Sequence, residues 1–544
     1  MKKYFLKHKG ICILYLIFML LNASVAVIMA QLLSEITDFA LHGGEELGSL
    51  LLKIAAFCAY ILFIYIAYDY IKAVYVCAIM TDLEQDAYES IIRQEIYHFH
   101  LIEPSEYSSF FLNDLKLIEE NYLKQIPNLL SGTIQMIVNG VYVGLLNGWI
   151  LLLFVISSLI MLWIPKLTSP RIQKKMDLFS GMARHFTSFL KETFSGFDTI
   201  ASNHARLSYI RKTRSEFLLY QKSKQESELA MELSNSASSI FGLTFQMLLI
   251  LSMGFFIWRG MLSADYMFSI VSISGTFLGN VSTAIHAYTS IQSSRPIRKK
   301  WKEIRAFSSI IEEREYPQDR LVLDHVTYAI NERKIIDDLT YTFEKGKRYL
   351  IIGESGSGKT TLFHLLSGRL RPQSGTITQD ENGIMDRSFI TTISQTPVSF
   401  KDTVLGNITL NRTDKESGVS ELLEKVCLDQ KLLSQIVGED HSTLSGGELQ
   451  RISIARSLLD PRSFLLCDES TANLDPQTSR LIEEVVTGLH GVGILWITHH
   501  ITPHTIKRFD VILQLDHGTL RDVTGQYKQP EEREGQTNQK TRTE

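Results

Sequence analysis

Two stretches without a single Asp, Glu, Lys or Arg, residues 10–34 and 126–165, restrict this 544-residue chain more than any other feature. At 1.5 Å per residue the first is longer than the ~30 Å hydrocarbon core of a bilayer. Backbone inside lipid must satisfy its own N–H and C=O groups, and a continuous apolar run does so as a helix. A cleaved leader is the competing reading, since Lys2, Lys3, Lys7 and Lys9 precede the run. The run is too long for that, and it passes straight into Gln31-Leu32-Leu33. Residues 126–165 have room for two crossings, with the turn dipeptide Asn147-Gly148 between them.

Further apolar segments near residues 50–76, 233–258 and 266–294 bring the count to six spans, which places both ends of the spanning region on one side. Lys and Arg decide which side: four lysines precede the first span, and Arg295, Arg298, Lys299, Lys300, Lys302 and Arg305 follow the last, against none in residues 34–49. Both termini are therefore expected in the cytoplasm. The long loops 77–125 and 167–232 fall on the same side, and the spacing of Leu83, Ala87, Ile91 and Ile92 predicts helices that continue well beyond the bilayer. Asp69 and Lys72, at i,i+3 where the second span ends, are candidates for an ion pair. The sixth span is crowded with Ser269, Ser272, Ser274, Thr276, Asn280, Ser282, Thr283, His286 and Thr289. These are either hydroxyl glue between helices or a substrate-facing surface with His286 as its ionisable group.

The rest of the chain has the mixed charge and glycine punctuation of a soluble α/β domain. The sequence thus divides into a membrane domain (1–306), a soluble domain (307–526) and a Glu-, Gln-, Lys- and Thr-rich tail (527–544) that reads as disordered. A net charge of -4 gives no global basic field, so no nucleic-acid partner is expected. The five cysteines (Cys12, Cys58, Cys77, Cys427, Cys467) form no CxxC pair and read as packing residues.

The chemistry lies in the soluble part. Gly353-Glu354-Ser355-Gly356-Ser357-Gly358-Lys359-Thr360 stands between a strand pattern, Tyr349-Leu350-Ile351-Ile352, and a helix pattern that begins at Thr361. Small residues let successive backbone N–H groups turn toward phosphates, Lys359 supplies charge for the outer phosphates, and the Thr360 hydroxyl can ligand Mg²⁺. Leu444-Ser445-Gly446-Gly447-Glu448 opens a second helix pattern, whose N–H groups and positive dipole end suit a γ-phosphate. Phe464-Leu465-Leu466-Cys467-Asp468-Glu469 is an apolar run ending in two carboxylates, the pattern of a buried parallel strand delivering acid to a ligand at its carboxyl end.

With these motifs in this order, the chain resembles an ABC transporter of the exporter type, a half-transporter with fused membrane and nucleotide-binding domains. The likeness covers nearly the whole chain. It implies a multidomain fold: an all-α six-helix transmembrane domain followed by an α/β P-loop nucleotide-binding domain. It also implies ATP and Mg²⁺ as ligands. Asp468 matches the acid that holds Mg²⁺ and Glu469 the general base for the attacking water. Gln395 matches the glutamine that reaches Mg²⁺ and links the site to the membrane domain, and His499, beside His500, the histidine that contacts the γ-phosphate. Thr361 completes the phosphate loop, and Asp475 is the acid of the loop after Glu469. In this family Ser445, Gly446, Gly447 and Glu448 cannot reach their own chain's phosphate loop, so the resemblance implies a homodimer or heterodimer with composite sites.

The pattern departs from the family at three places. Glu448 stands where exporters more often carry Gln, and His441 replaces a Gly. Ile330 occupies the position of the adenine-stacking aromatic, with Tyr328 two residues earlier as the candidate substitute. The implied function is ATP-driven export by alternating access across the plasma membrane of a bacterial cell, in contact with membrane lipid. Small peptide, lipid and amphipathic drug stay open as substrates. An ATP-gated channel or a regulatory membrane protein is the alternative, against which the intact Glu469 argues.

Overall fold

The computed structural model describes residues 1–43, 47–307, 319–378, 389–438, 444–471, 474–498 and 501–528. It has two compact units, Met1–Ile92 with Pro104–Ser308 and Arg93–Glu103 with Ser309–Glu544. The first is built on Lys9–His42 (α1), Leu47–Ile92 (α2), Gln125–Leu146 (α3), Gly148–Ser195 (α4), Arg206–Trp258 (α5) and Tyr266–Ser293 (α6), followed by Arg295–Ala306 (α7). Five helices among the described residues are long and apolar enough to cross a membrane, and α4 opens with the apolar stretch Gly148–Met161 where the remaining crossing was predicted. The 46 residues of α2 extend ~69 Å, more than twice the hydrocarbon thickness, as the periodicity around Leu83 and Ile91 predicted. Asn147 separates α3 from α4 by capping the latter, its Oδ1 accepting from the Trp149 and Ile150 N–H groups at 2.9 and 3.3 Å.

Phe154 sits at the centre of the apolar packing, edge-on to Phe245 and Phe277 at 6.0 and 4.9 Å between ring centroids. The hydroxyls of α6 serve mainly as glue. Ser269 donates to the Ala30 carbonyl of α1, and Thr276 Oγ1 accepts from Asn139 of α3 at 3.2 Å. Ser274, Thr283 and Thr289 donate to carbonyls of their own helix, while His286 is exposed. Lys72 does not pair with Asp69 as its spacing suggested. It reaches Asn128 Oδ1 at 2.7 Å, because a second helix offers an acceptor that sequence proximity cannot reveal. The acidic residues of the first long loop have partners as well: Asp82 accepts from Lys7 at 2.6 Å and from His8 at 2.9 Å, pinning the N-terminal segment onto α2. All five cysteines are free thiols.

The second unit carries two sheets. Arg320–Ile330 (β1), Arg333–Glu344 (β2) and Ser374–Thr378 (β4) form an antiparallel sheet in the order β2-β1-β4. Arg348–Ile352 (β3), Ile390–Ile393 (β5), Phe464–Asp468 (β6), Gly493–Ile497 (β7), Val511–Asp516 (β8) and Thr519–Asp522 (β9) form the other, ordered β5-β6-β7-β3-β8-β9 and parallel except at β9. Every residue of β6 and β7 is buried, as expected for parallel strands covered on both faces. Alternation sends Leu465, Cys467, Ile494 and Trp496 to one apolar cluster and Phe464, Leu466, Leu495 and Ile497 to the other. The segment Arg93–Glu103 belongs to this unit: Arg371 donates to Glu95 Oε2 at 2.7 Å and lies 4.5 Å over the Tyr97 ring.

Candidate nucleotide site

The phosphate loop runs from β3 into the helix Lys359–Leu366 (α8), in the strand, loop, helix order that the sequence predicted. Two of its glycines are required by space. A Cβ on Gly353 would lie 2.6 Å from the Leu515 carbonyl, and one on Gly358, at φ +100°, would lie 3.0 Å from Ile335 Cγ2. Lys359 is only 5% exposed, and its Nζ donates to the carbonyls of Gly353 and Glu354, both at 2.8 Å. The loop is thus tied into a ring around its own ammonium group. Burial pulls Lys359 below its ordinary pKa, opposed by the nearby charges of Glu469 and Asp468, which brings the lysine and both carboxylates into one site. Glu354, Ser355, Gly356 and Thr360 are exposed, with Ser357 and Thr361 half-buried.

Buried β6 ends at Asp468, which is 9% exposed. The next residue, Glu469, adopts φ +45°, a left-handed conformation that is strained for a residue with a side chain. Its N–H donates to the Ile497 carbonyl of β7 at 3.0 Å, so sheet pairing holds the strained turn in place. Gln395, exposed just beyond β5, donates from Nε2 to Glu469 Oε2 at 2.9 Å. Buried Gln450 escaped the sequence reading: its Nε2 donates to Ser470 O at 2.8 Å and Ser394 O at 3.4 Å, joining the segments that follow β5 and β6. Nothing local in the sequence marks it, since its partners come from two other segments.

Ser445 caps the helix Gly446–Leu459 (α9) in a reciprocal box. Its Oγ accepts from the Glu448 N–H at 3.2 Å, while Glu448 Oε2 accepts from the Ser445 N–H at 2.7 Å and hydroxyl at 2.8 Å. These bonds, the backbone one foremost, hold the Glu448 carboxyl below its ordinary pKa. Gly446 is exposed and Gly447 half-buried. Asp475 caps the helix Pro476–Thr487 (α10), accepting from the Gln477 and Thr478 N–H groups at 3.1 and 3.0 Å. Tyr328 lies opposite Ile336 on β2 and packs partly buried against the core, whereas Ile330 at the strand end is 49% exposed. His499, its neighbour His500, His441 and residues 529–544 of the tail lie outside the described residues.

The donors around Lys359 are hard oxygens: the Asp468 carboxylate, the Thr360 hydroxyl and the amide oxygen of Gln395, whose nitrogen is taken by Glu469. That set suits Mg²⁺ rather than a soft metal.

Comparison with known proteins agrees with this geometry. Residues 12–281 match the family model of the ABC transporter transmembrane region and residues 336–472 the family model described as ABC transporter. The chain is 25% identical over 354 residues to the mesentericin-Y105 transport/processing ATP-binding protein of Leuconostoc mesenteroides, covering 61% of this chain and 49% of that one. It is 34% identical over 209 residues to an ATP-dependent lipid A-core flippase of Burkholderia thailandensis, covering 36% of this chain and 35% of the other. The matches span about a third to a half of these curated relatives. A solved bacterial Atm1-family ABC exporter with ATP bound superposes with a TM-score of 0.77 at 19% identity, covering 94% of each chain. Helical membrane unit, phosphate loop, signature turn and paired carboxylates stand in one polypeptide, and the chain belongs to the ABC transporters, with its transmembrane and nucleotide-binding regions fused and folded as in the exporter type.

Proposed function

We propose that this chain is one half of a dimeric, ATP-driven exporter that works by alternating access at a bacterial plasma membrane, with both termini cytoplasmic. The supporting domain division is 1–306, 307–526 and a tail over 527–544. The observation that carries the reading is the hydrogen bond from Gln395 to Glu469 beside buried Lys359, which orients the carboxylate we assign as proton acceptor for the water attacking the γ-phosphate. Gly353 to Thr361 of one copy cradle the phosphates, and Ser445, Gly446, Gly447 and Glu448 of the other close over them. His499 contacts the γ-phosphate. Asp475 positions the loop after Glu469 by capping α10. Thr360, Gln395 and Asp468 would hold Mg²⁺, which when bound would neutralise phosphate charge. We assign adenine to the aliphatic surface at Ile330, since Tyr328 is packed into the core.

ATP drives the cycle because its γ-phosphate is shared by two copies only in the closed state, so binding favours closure through differential affinity. Docking of residues 93–103 beside Arg371 supplies the lever that carries closure to the membrane helices. The substrate is a peptide, lipid or amphipathic molecule; among the relatives, one is a mesentericin transport/processing protein and another a lipid A-core flippase. Reconstitution in proteoliposomes tests the proposal. Uphill, ATP-dependent movement of a candidate substrate supports pumping, whereas ATP-gated flux that only dissipates a gradient supports a channel. ATPase activity at full rate in strictly monomeric protein would end the composite-site reading.

A further inference from the structure

We propose a binding site for a phosphate-bearing anion where α6 meets α7, with the headgroup of an anionic lipid as the source its position favours. A cavity of about 1040 Å³ opens there between Tyr122, Gln292 and four cations of α7: Arg295, Arg298, Lys299 and Lys302. Positions 295, 298, 299 and 302 fall on one face of a helix, so the sequence itself places them together. No Asp or Glu lines the cavity among the described residues.

The charges of α7 are sorted. Lys300 is neutralised by Asp114 at 2.8 Å and Arg305 lies 3.8 Å from Asp86, both pairs formed away from the cavity. Lys299 meets Glu303 at 3.6 Å in an exposed pair that solvent screens. Arg295 and Lys302 have no ion-pair partner among the described residues. Like charges crowded around a half-enclosed space repel one another, and an anion relieves that repulsion. Arg298 is already fixed for such a ligand. Its Nε donates to Ser294 Oγ at 3.1 Å, its Nη2 to the Ile291 carbonyl at 2.9 Å, and its guanidinium lies 4.2 Å over the Tyr122 ring. A fork held by three contacts binds a phosphate with little further ordering cost.

The choice of a lipid rests on reading α6 as the sixth span: α7 then begins where the hydrocarbon ends, at the depth of headgroup phosphates. The test uses the full chain in nanodiscs of zwitterionic lipid doped with phosphatidylglycerol, with retained lipid counted by native mass spectrometry. Wild type retains phosphatidylglycerol over the zwitterionic lipid, and the double variant Lys299→Gln, Lys302→Gln retains it about tenfold less. Arg298→Gln loses at least as much and Arg298→Lys recovers part, which a merely structural role would not produce. Both lysines are exposed, so the double variant keeps its fold and its basal ATPase rate. Inorganic pyrophosphate that displaces the lipid, or binds where lipid does not, supports the site and identifies a soluble source. Equal retention by wild type and variants, with no pyrophosphate binding, overturns it. Lipid counting requires no ATP turnover, so this outcome is separable from failure of the exporter reading.

Discussion

The phosphate loop and the signature turn offer the same kind of surface, backbone N–H groups at the start of a helix, yet the chain supports them in opposite ways. Gly353 and Gly358 are pressed against Leu515 and Ile335, and Lys359 is buried within the ring it closes. Ser445 and Gly446 are exposed, no described residue lies within 4 Å of a Cβ at Gly446, and the helix start is capped by its own Ser445 and Glu448. The first surface is finished by its own core and the second is left for something outside the chain. Within one polypeptide the glycine at 446 has no steric reason to be glycine. Its reason is supplied if a partner's phosphate approaches the backbone there.

Mutation can break this contrast, and the largest effect belongs to neither half. Glu469→Gln keeps the hydrogen bond to Gln395 but removes the proton acceptor, so turnover falls about 10²- to 10⁴-fold while ATP binding persists. Steady-state hydrolysis near the wild-type rate would remove Glu469 from the mechanism. The glycines separate the two halves. Gly358→Ala forces a side chain at φ +100° against Ile335, a strain of about 1–3 kcal/mol, so ATP affinity of the single chain drops about tenfold or more. Gly446→Ala leaves that affinity and the fold unchanged but lowers hydrolysis about tenfold, because the added methyl meets the phosphate only in the assembled dimer. If both substitutions weaken nucleotide binding equally in isolated chains, the asymmetry drawn between the halves is wrong.

What could be read from the sequence follows the same division. The phosphate loop, β6 and the apolar runs were legible because each is a local pattern: glycine spacing, a buried strand ending in acids, length without charge. The partners of single polar residues were not. Lys72 was matched to Asp69 by spacing but reaches Asn128, 56 positions away. Gln450 looks like any helical glutamine until the fold brings Ser394 and Ser470 to it. Tyr328 and Ile330 share a strand face in sequence, and only the packing of β2 distinguishes the half-buried ring from the exposed aliphatic side chain. The π-helical turns Phe110–Asp114 and Glu119–Leu123 carry no composition signal at all.

A smaller effect concerns the segment 93–103. Burial holds His100 and His364 below their ordinary value of 6.5, with Arg369 lowering both further and His100 adding to the effect on His364. A histidine lowered on docking is bound neutral. The docking it supports is therefore complete above about pH 6.5 and weakens as the pH falls through that value, levelling off below the docked pKa. Hydrogen exchange in residues 93–103, corrected for intrinsic rate, should quicken about twofold over that window. His100→Asn combined with His364→Gln should flatten the profile. A pH dependence surviving in the double variant would locate the sensor elsewhere.

The sharpest test is Glu448→Gln, which changes charge while keeping shape. Gln also completes a capping box, since its amide oxygen can accept from the Ser445 N–H as the carboxylate does at 2.7 Å. Because hydrogen bonding lowers the Glu448 pKa in the folded chain, its contribution to stability is whole above the ordinary value of 4.5 and is lost as pH falls through the lower folded one. Thermal melts from about pH 6 to about pH 3 should therefore fall further in wild type than in the variant, the other carboxylates lowered by folding being common to both. At neutral pH the variant presents the γ-phosphate with a helix start relieved of one negative charge, and ATP-induced dimerisation should tighten about two- to fivefold. Unchanged or weaker dimerisation would mean that the carboxylate swings off the helix start before the phosphate arrives, and that the exposed half reorganises when its partner closes.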